Sequence, residues 1–413
     1  ARRSWVAAAN APDTDFPIQN LPFGVFRTAG APIRGGVAIG DQILDLSAAL
    51  GAGLFSDLAE HAARAASGRA LNPLLELGGA AASALRHRIS DLLRRDGPSA
   101  ERARVEAALV PMAGAELVCP FDVADYTDYS CSIHHIGRLS GGRPWPALQY
   151  LPVGYNGRRS SVRLGGGEVR RPNGQSVYPV GSGLAPTFGP EPALDFELEV
   201  GAVLGGSNAL GEPMDVDAAA ERLFGYCLLN DWSARSIQMF ETALGPLLGK
   251  SFHTSISPWL VTDEALAPFK VALPPRAADM PSVPAHLDSP ANRAQGALDI
   301  ALEAYLLTPA MRQAGQAPDR VVNSNFKHMY WTFAQMVAHQ ASNGCNLGPG
   351  DLVGSGTVSG PEDDAQACLM EKTMMSGAPI TLANGETRMW LQDGDEVILR
   401  GRARREGFVP IGF

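Results

Sequence analysis

The stretch 125–139, DYTDYSCSIHHIGRL, crowds two aspartates, a cysteine and a histidine pair into a chain in which 19% of residues are charged and eight are histidine. Three chemistries could use it: a metal site, a Cys131 nucleophile activated by His135 four residues on, or a general base beside a metal. Further along, Glu197 and Glu199 stand at i and i+2 in LDFELEVGAVLG. On a strand both carboxylates point to one side, while Phe196, Leu198 and Val200 take the core side. A lone E-x-E is most often a solvated strand face, but two like charges held together become favourable when a cation lies between them. In NDWSARSIQMFE, a helix from Asp231 would align Asp231, Arg235 and Gln238 at i, i+4 and i+7. GPLLGKS then supplies Lys250; it is one residue short of a G-x-x-x-x-G-K-[ST] phosphate loop and is not read as one. Collected, Asp128, Glu197, Glu199 and Asp231 are hard oxygen donors, Arg235, Gln238 and Lys250 are cationic or amide groups, and His135 is a base. Oxygen-only ligands favour Ca²⁺, Mg²⁺ or Mn²⁺ over zinc. With a histidine base at hand, the set points to metal-assisted work on a carbonyl substrate.

The elements that must position these groups are partly legible. Residues 33–47 alternate apolar and polar around Val37, Ile39 and Ile43 with a Gly-Asp turn between, a hairpin pattern. Residues 82–95 place Leu85, Ile89, Leu92 and Leu93 on one helical face. The stretch 194–205 reads as a strand, 216–230 as a helix, and 324–342 as a longer helix with Phe326, Tyr330, Phe333 and Val337 in a core stripe. Residues 267–290, rich in Pro and Ala, read as a long surface loop, and 393–413 as paired strands. A boundary near residue 120 divides the chain into an N-terminal unit, 1–118, and a larger unit, 119–413.

At 413 residues with 45% apolar content, the chain can bury a substantial core, and its 45 Gly and 31 Pro favour many turns and much β-structure. A net charge of −9 offers no basic excess for nucleic acid. No apolar run of about 18 residues is present to span a membrane, and ARRSWVAAAN lacks the apolar segment of a signal peptide. Five scattered cysteines without a C-x-x-C pair suit reduced thiols, so a cytoplasmic setting is expected.

The longer motifs carry a resemblance. TDFPIQNLPFGVF, GVAIGDQILDLS, DYTDY, LPVGYNGRRSSV, LDFELE, NDWSAR, LGKSFHTSISPW, NFKHMYWT, NGCNLGPGDLVGSGTVSGPE and DGDEVI, collinear over nearly the whole chain, resemble the fumarylacetoacetase family of carbon–carbon bond hydrolases. The resemblance implies a mixed, β-rich fold: a small SH3-like β-barrel domain followed by a mixed β-roll catalytic domain. It also implies a homodimer acting on a small dicarbonyl acid. On matching positions, Asp128, Glu197, Glu199 and Asp231 would bind Ca²⁺, and a second, Mg²⁺ site would involve Lys250 and Thr254. His135 would be the general base, oriented by Glu371. Arg235, Gln238 and Lys250 would surround the substrate carbonyls, and Tyr155 and Thr357 would touch substrate.

Some positions depart from the family's pattern. Ser130 and Thr242 stand where the family has substrate-contacting tyrosines, and His253 stands where it has glycine. The loop between His135 and Tyr155 is shorter, which leaves Arg138 and Arg143 both open as the substrate-binding arginine. Metal and base positions are thus kept while groups that read the substrate's ends are altered, so the expected chemistry is retained and the expected substrate is fumarylacetoacetate or another acylpyruvate or β-diketone. A decarboxylase, hydratase or tautomerase of an oxo acid, and a non-catalytic dicarbonyl-binding protein, are the alternatives.

Overall fold

LEVGAVL (Leu198–Leu204) and FGYCLLND (224–231) are buried at every residue, which requires a sheet covered on both faces. The computed structural model, which describes residues 2–179, 181–242, 245–374 and 376–413, meets that requirement. A thirteen-stranded sheet runs, in spatial order, through Leu109–Pro111, Gln42–Asp45, Arg34–Ile39, Phe23–Arg27, Trp259–Thr262, Leu223–Asp231, Leu198–Leu204, Leu352–Gly354, Tyr126–Tyr129 and Gly154–Asn156, with three further strands off this path. A four-stranded sheet, Asp319–Asn325, Ile300–Leu307, Glu396–Ala403 and Ile411–Gly412, lies against one face. Leu198, Val200 and Leu228 share a core with Ile300, Leu302 and Leu306 on that side. On the other face Val203, Cys227 and Leu229 share a core with Leu74, Leu85 and Ile89 of the N-terminal helices.

The N-terminal strands are not a separate closed barrel. Phe23–Arg27 pairs with Arg34–Ile39, Glu116–Val118 and Trp259–Thr262, so the N-terminal strands extend the large sheet, and among the described residues their pairing path stays open. The expected hairpin is present, with Gly40 turning at φ 57° between Arg34–Ile39 and Gln42–Asp45. The expected helix is the second half of Asn72–Leu93, which kinks where Gly78 takes φ 74°. The closing paired strands are Glu396–Ala403 and Ile411–Gly412.

Two expected helices are corrected. In 216–230 only Val216–Ala220 is helical, and Leu223–Asp231 is a central strand. A continuous apolar run has no period to distinguish helix from strand, and the aromatic residues with sheet neighbours on both sides decide for strand. In 324–342 the helix is confined to Phe333–Ala341, because Thr332 forms a capping box with Gln335 and starts it afresh. Phe326 and Phe333 still stack, with centroids 5.2 Å apart at 13°, but across a turn. The 267–290 segment is a loop broken by short elements, including the strand Lys270–Val271. Thr332→Ala removes both the cap and the hydroxyl that donates to Asn292 Oδ1. It is expected to cost about 1–2 kcal/mol, read as a lower denaturation midpoint.

Candidate active site

Three strands of the large sheet converge on one acidic centre. Asp128 lies in Tyr126–Tyr129, Glu199 is the second residue of Leu198–Leu204, and Asp231 ends Leu223–Asp231. Between the strands of Glu199 and Asp128 runs Leu352–Gly354, with Gly354 opposite Asp128. A Cβ at Gly354 would run into Asp128 Oδ1 and lie 3.3 Å from Glu199 Oε2, so the glycine leaves the space in which the carboxylates meet. One oxygen from each of Asp128, Glu199 and Asp231 lies within 4.8 Å of the others, and all three residues are buried. Burial, then the neighbouring negative charges, push the carboxyls of Asp128 and Glu199 well above the usual range. The Tyr155 hydroxyl lies 3.0 Å from Asp128 Oδ2 and 2.9 Å from Asp231 Oδ2, and its single proton can serve one at a time. The structure thus places Tyr155 at the edge of the acidic centre. Thr254 Oγ1 donates to Asp231 Oδ1 at 3.4 Å. Glu199 Oε1 is buried with no hydrogen-bond partner, an orphan acceptor in a cluster of hard oxygens. Such a set fits a divalent cation bound through oxygen.

Countercharge comes from two buried cations. Lys250 Nζ donates to Glu197 Oε2 (2.6 Å) and Ser233 Oγ (2.7 Å) and pairs with Asp231 Oδ2 (2.7 Å). Burial alone would depress its ammonium, but Asp231 and Glu197 outweigh that and push it up. A protonated amine has no lone pair, so the Lys250 side chain acts as countercharge and not as a ligand. Arg235 donates from Nε to Asp195 Oδ2 (2.9 Å) and from Nη1 to Glu197 Oε1 (2.7 Å) and Gln238 Oε1 (3.0 Å). Glu197 is thus gripped by both cations; burial would raise its carboxyl, but Lys250 and Arg235 carry it well below the usual range. The expected i, i+4 pair of Asp231 with Arg235 does not form. Asp231 ends a strand and the helix starts only at Arg235, because Ser233–Ala234 pairs with Leu194–Asp195 in between.

His135 is carried by the helix Ile133–Leu139, capped by Ser132 Oγ accepting from the His135 amide at 3.2 Å. Its Nδ1 lies 2.6 Å from Glu371 Oε1, which also accepts from Ser359 Oγ at 2.5 Å. Burial would raise the Glu371 carboxyl, but His135, Ser359 and Arg138 bring it down to about 2. The helix that bears Glu371, Leu369–Met374, is held at its start by Asp195, whose oxygens accept from the amides of Leu369 (2.8 Å) and Met370 (3.0 Å). Asp195, Ser359 and Ser233 went unforeseen, since each acts through a partner far away in sequence. Cys131 does not pair with His135, whose ring is committed to Glu371. Burial, then Asp128 and Glu199, push its thiol well up, the opposite of an activated nucleophile.

The remaining positions divide. Thr357 is buried next to Gly356, whose amide donates to Glu199 Oε2 at 3.0 Å. Ser130 is half-buried and bonds through its amide to Val153 O at 2.8 Å. Thr242 is exposed at the end of the Arg235–Glu241 helix, its hydroxyl 3.4 Å from Met239 O, and Arg143 is exposed. His134 sits edge-on to His328 at 6.4 Å, and His253 edge-on to Trp232 at 6.5 Å with no metal-ligating partner among the described residues.

The open mixed sheet that carries the acidic centre and the His135–Glu371 pair has the fold of the fumarylacetoacetate hydrolases. The solved structure of a fumarylacetoacetate hydrolase from psychrophilic Exiguobacterium antarcticum shares it, with a TM-score of 0.52 at 16% identity over 95% of this chain and 98% of that one. Profiles described as Fumarylacetoacetase N-terminal and Fumarylacetoacetate (FAA) hydrolase C-terminal match residues 19–120 and 125–409. The fumarylacetoacetase of Oryza sativa subsp. japonica is 43% identical over 100% of this chain and 95% of its own length, and that of Homo sapiens 41% over 98% and 95%. The chain belongs to the fumarylacetoacetase family.

Glu199→Gln is expected to stabilise the metal-free protein on the alkaline side, where it removes one buried like charge. It should also abolish the rise in Tm that a divalent cation gives the parent. The linkage has a definite sign. Asp128 and Glu199 are raised, so the folded state holds more protons than the unfolded one above about pH 4, and their contribution falls as pH rises. Glu371 is depressed, so its contribution is present above about pH 4 and is lost as pH falls through about 2. Metal-free protein should therefore be most stable in weak acid, and a divalent cation should flatten the alkaline decline in a series of thermal melts.

Proposed function

We propose that this protein is a metal-dependent hydrolase that cleaves a carbon–carbon bond of fumarylacetoacetate or a closely related 1,3-dicarbonyl acid. The observation that carries this reading is the buried His135–Glu371 pair, ionised at Glu371, in a chain that shares about 40% identity with fumarylacetoacetases over its length. Decarboxylation needs no activated water, so a held base favours hydrolysis over that alternative.

Asp128, Glu199 and Asp231, with Glu197 beside them, would hold Ca²⁺ or Mg²⁺, or Mn²⁺ in their place. Such a cation supplies Lewis acidity toward the dicarbonyl oxygens. His135 takes a proton from water through Nε2, while the Glu371 carboxylate accepts the hydrogen bond from Nδ1–H and stabilises the imidazolium. Water adds to the carbonyl carbon, the adjacent carbon–carbon bond breaks, and the electron pair leaves as an enolate that is then protonated. Arg235, Lys250 and Gln238 offer positive charge and an amide donor to the developing oxyanions. Because Gln238 Oε1 is occupied by Arg235, its amide N–H groups remain free to donate. The second carbonyl is indispensable, since without it the leaving carbanion is unstabilised.

Ser130 and Thr242 leave the substrate's ends less tightly read, which favours acceptance of other acylpyruvates alongside fumarylacetoacetate. With Arg138 engaged at Glu371, exposed Arg143 is the arginine free to meet a substrate carboxylate. A cytoplasmic homodimer accords with the family. The exposed Met239, Phe240, Leu247 and Leu248, on the helix and turn that follow Arg235, offer the apolar surface such a contact needs. No helix among the described residues is long and apolar enough to cross a membrane.

Turnover of fumarylacetoacetate and a short acylpyruvate series, with and without EDTA and with products identified by mass, tests the assignment. Metal-dependent release of fumarate and acetoacetate is expected; release of CO₂, or metal binding without turnover of any dicarbonyl, would overturn it. His135→Gln should lower kcat about a thousandfold. Cys131→Ser should leave activity within about twofold of the parent, since a buried, protonated thiol contributes no nucleophile.

A further inference from the structure

Arg138 stands three residues after His135 on the same short helix, one turn along. Both terminal nitrogens of its guanidinium are engaged. Nη1 donates to Glu371 Oε2 at 3.1 Å, while Nη2 donates to three successive backbone carbonyls, Gly360 (2.8 Å), Pro361 (3.1 Å) and Glu362 (3.2 Å). The far oxygen of Glu371 is therefore fastened by Arg138, and the near oxygen faces His135 and Ser359. Arg138 is four-fifths buried at its side chain, and Glu371 is completely buried, so the pair is poorly screened.

We propose, resting on the hydrolase reading above, that Arg138 is a positioning residue: it fixes the Glu371 carboxylate in the orientation that meets His135 and offsets part of its charge. A bare carboxylate behind an imidazole stabilises the imidazolium and makes the ring more basic. A histidine already protonated at working pH cannot take a proton from water. A guanidinium on the far oxygen moderates that effect without loosening the hydrogen bond, and keeps the carboxylate aimed at the ring. The forked, planar group is suited to this, since one terminal nitrogen reaches the carboxylate and the other the loop carbonyls.

The charged and titratable groups around His135 are few. Glu371 and Cys368 come from the segment 368–371, Glu197 from the sheet, and His134 and Arg138 from its own helix, with Lys372 behind Glu371. All but Arg138 are unchanged in the test variants, so a shift in His135 titration isolates the guanidinium.

The experiment compares parent, Arg138→Gln and Arg138→Lys as full-length, metal-loaded protein. Two readouts are taken: the pH profile of kcat/KM for fumarylacetoacetate, and the NMR titration of the His135 ring, assigned by its loss in His135→Gln. In Arg138→Gln both the acid limb and the ring titration should move up by about one pH unit. In Arg138→Lys the charge is kept and the limb stays in place, but kcat falls about tenfold because an ammonium cannot grip the carboxylate and three carbonyls together. A folded Arg138→Gln protein with limb and titration unmoved overturns the proposal. So does an Arg138→Lys protein with the parent's kcat, and that variant decides the matter should Arg138→Gln not fold. If the parent cleaves no dicarbonyl, the hydrolase reading fails, while the ring titration still decides the role of Arg138.

Discussion

Everything around this site answers one electrostatic problem: carboxylates held together out of water. Asp128, Glu197, Glu199, Asp231 and Asp195 are all buried, against two buried cations, Lys250 and Arg235. Isolated charges in such a place would take up protons, and Asp128 and Glu199 are indeed pushed in that direction. The large sheet makes the arrangement possible because its strands cannot relax away from one another. Glu199 and Asp231 sit on paired strands, and Asp128 is two strands beyond Glu199, past the strand whose glycine makes room. Backbone pairing with apolar cores on both faces supplies the rigidity against which the repulsion is held.

The cations divide the cluster into two kinds of carboxylate. Glu197 is saturated by Lys250 and Arg235 and behaves as a fixed anion, whereas Glu199 keeps an unpartnered oxygen. Asp195 ties these halves together. One carboxylate receives the Arg235 guanidinium and the first amides of the Glu371 helix, so Arg235 and the helix that carries Glu371 share an anchor. Glu191 does the same for the start of the Arg235 helix, accepting from the amides of Ser236 and Ile237, each at 3.1 Å. Helices this short have little intrinsic stability, and side-chain caps of this kind define where they begin.

The sequence exposed the chemistry better than the scaffold. Asp128, Glu199, Asp231 and Lys250 could be picked out as a set because hard donors and a cation recur in short motifs, and His135 with Glu371 by likeness to a family. What could not be read was which partner each would choose. Arg235 looked like a helix neighbour of Asp231, yet its partners are Asp195, Glu197 and Gln238, and the first two lie some forty residues away. Tyr155, read as a substrate contact, also reaches two carboxylates that no local signal paired with it. Leu223–Asp231 was misread because helical and extended forms of a largely apolar run differ only in their neighbours, which are set by the sheet. Hairpin and amphipathic helix were legible because their signals are local: a Gly-Asp turn, and leucines at helical spacing.

The junction of the N-terminal strands with the large sheet bears on how the protein comes to be made. Phe23 pairs with Leu260 and Gly24 with Trp259, partners more than two hundred residues downstream. On the ribosome, the strand Phe23–Arg27 can acquire its neighbours Arg34–Ile39 and Glu116–Val118 early, but its third partner is synthesised only after more than half the chain. Until then part of a strand rich in apolar residues is an unpaired edge, open to another chain. Closing so large a loop costs little more than closing a moderate one, because the entropy grows only logarithmically with length. The consequence is temporal: biosynthesis leaves a window of vulnerability whose length is set by the distance between residues 24 and 259.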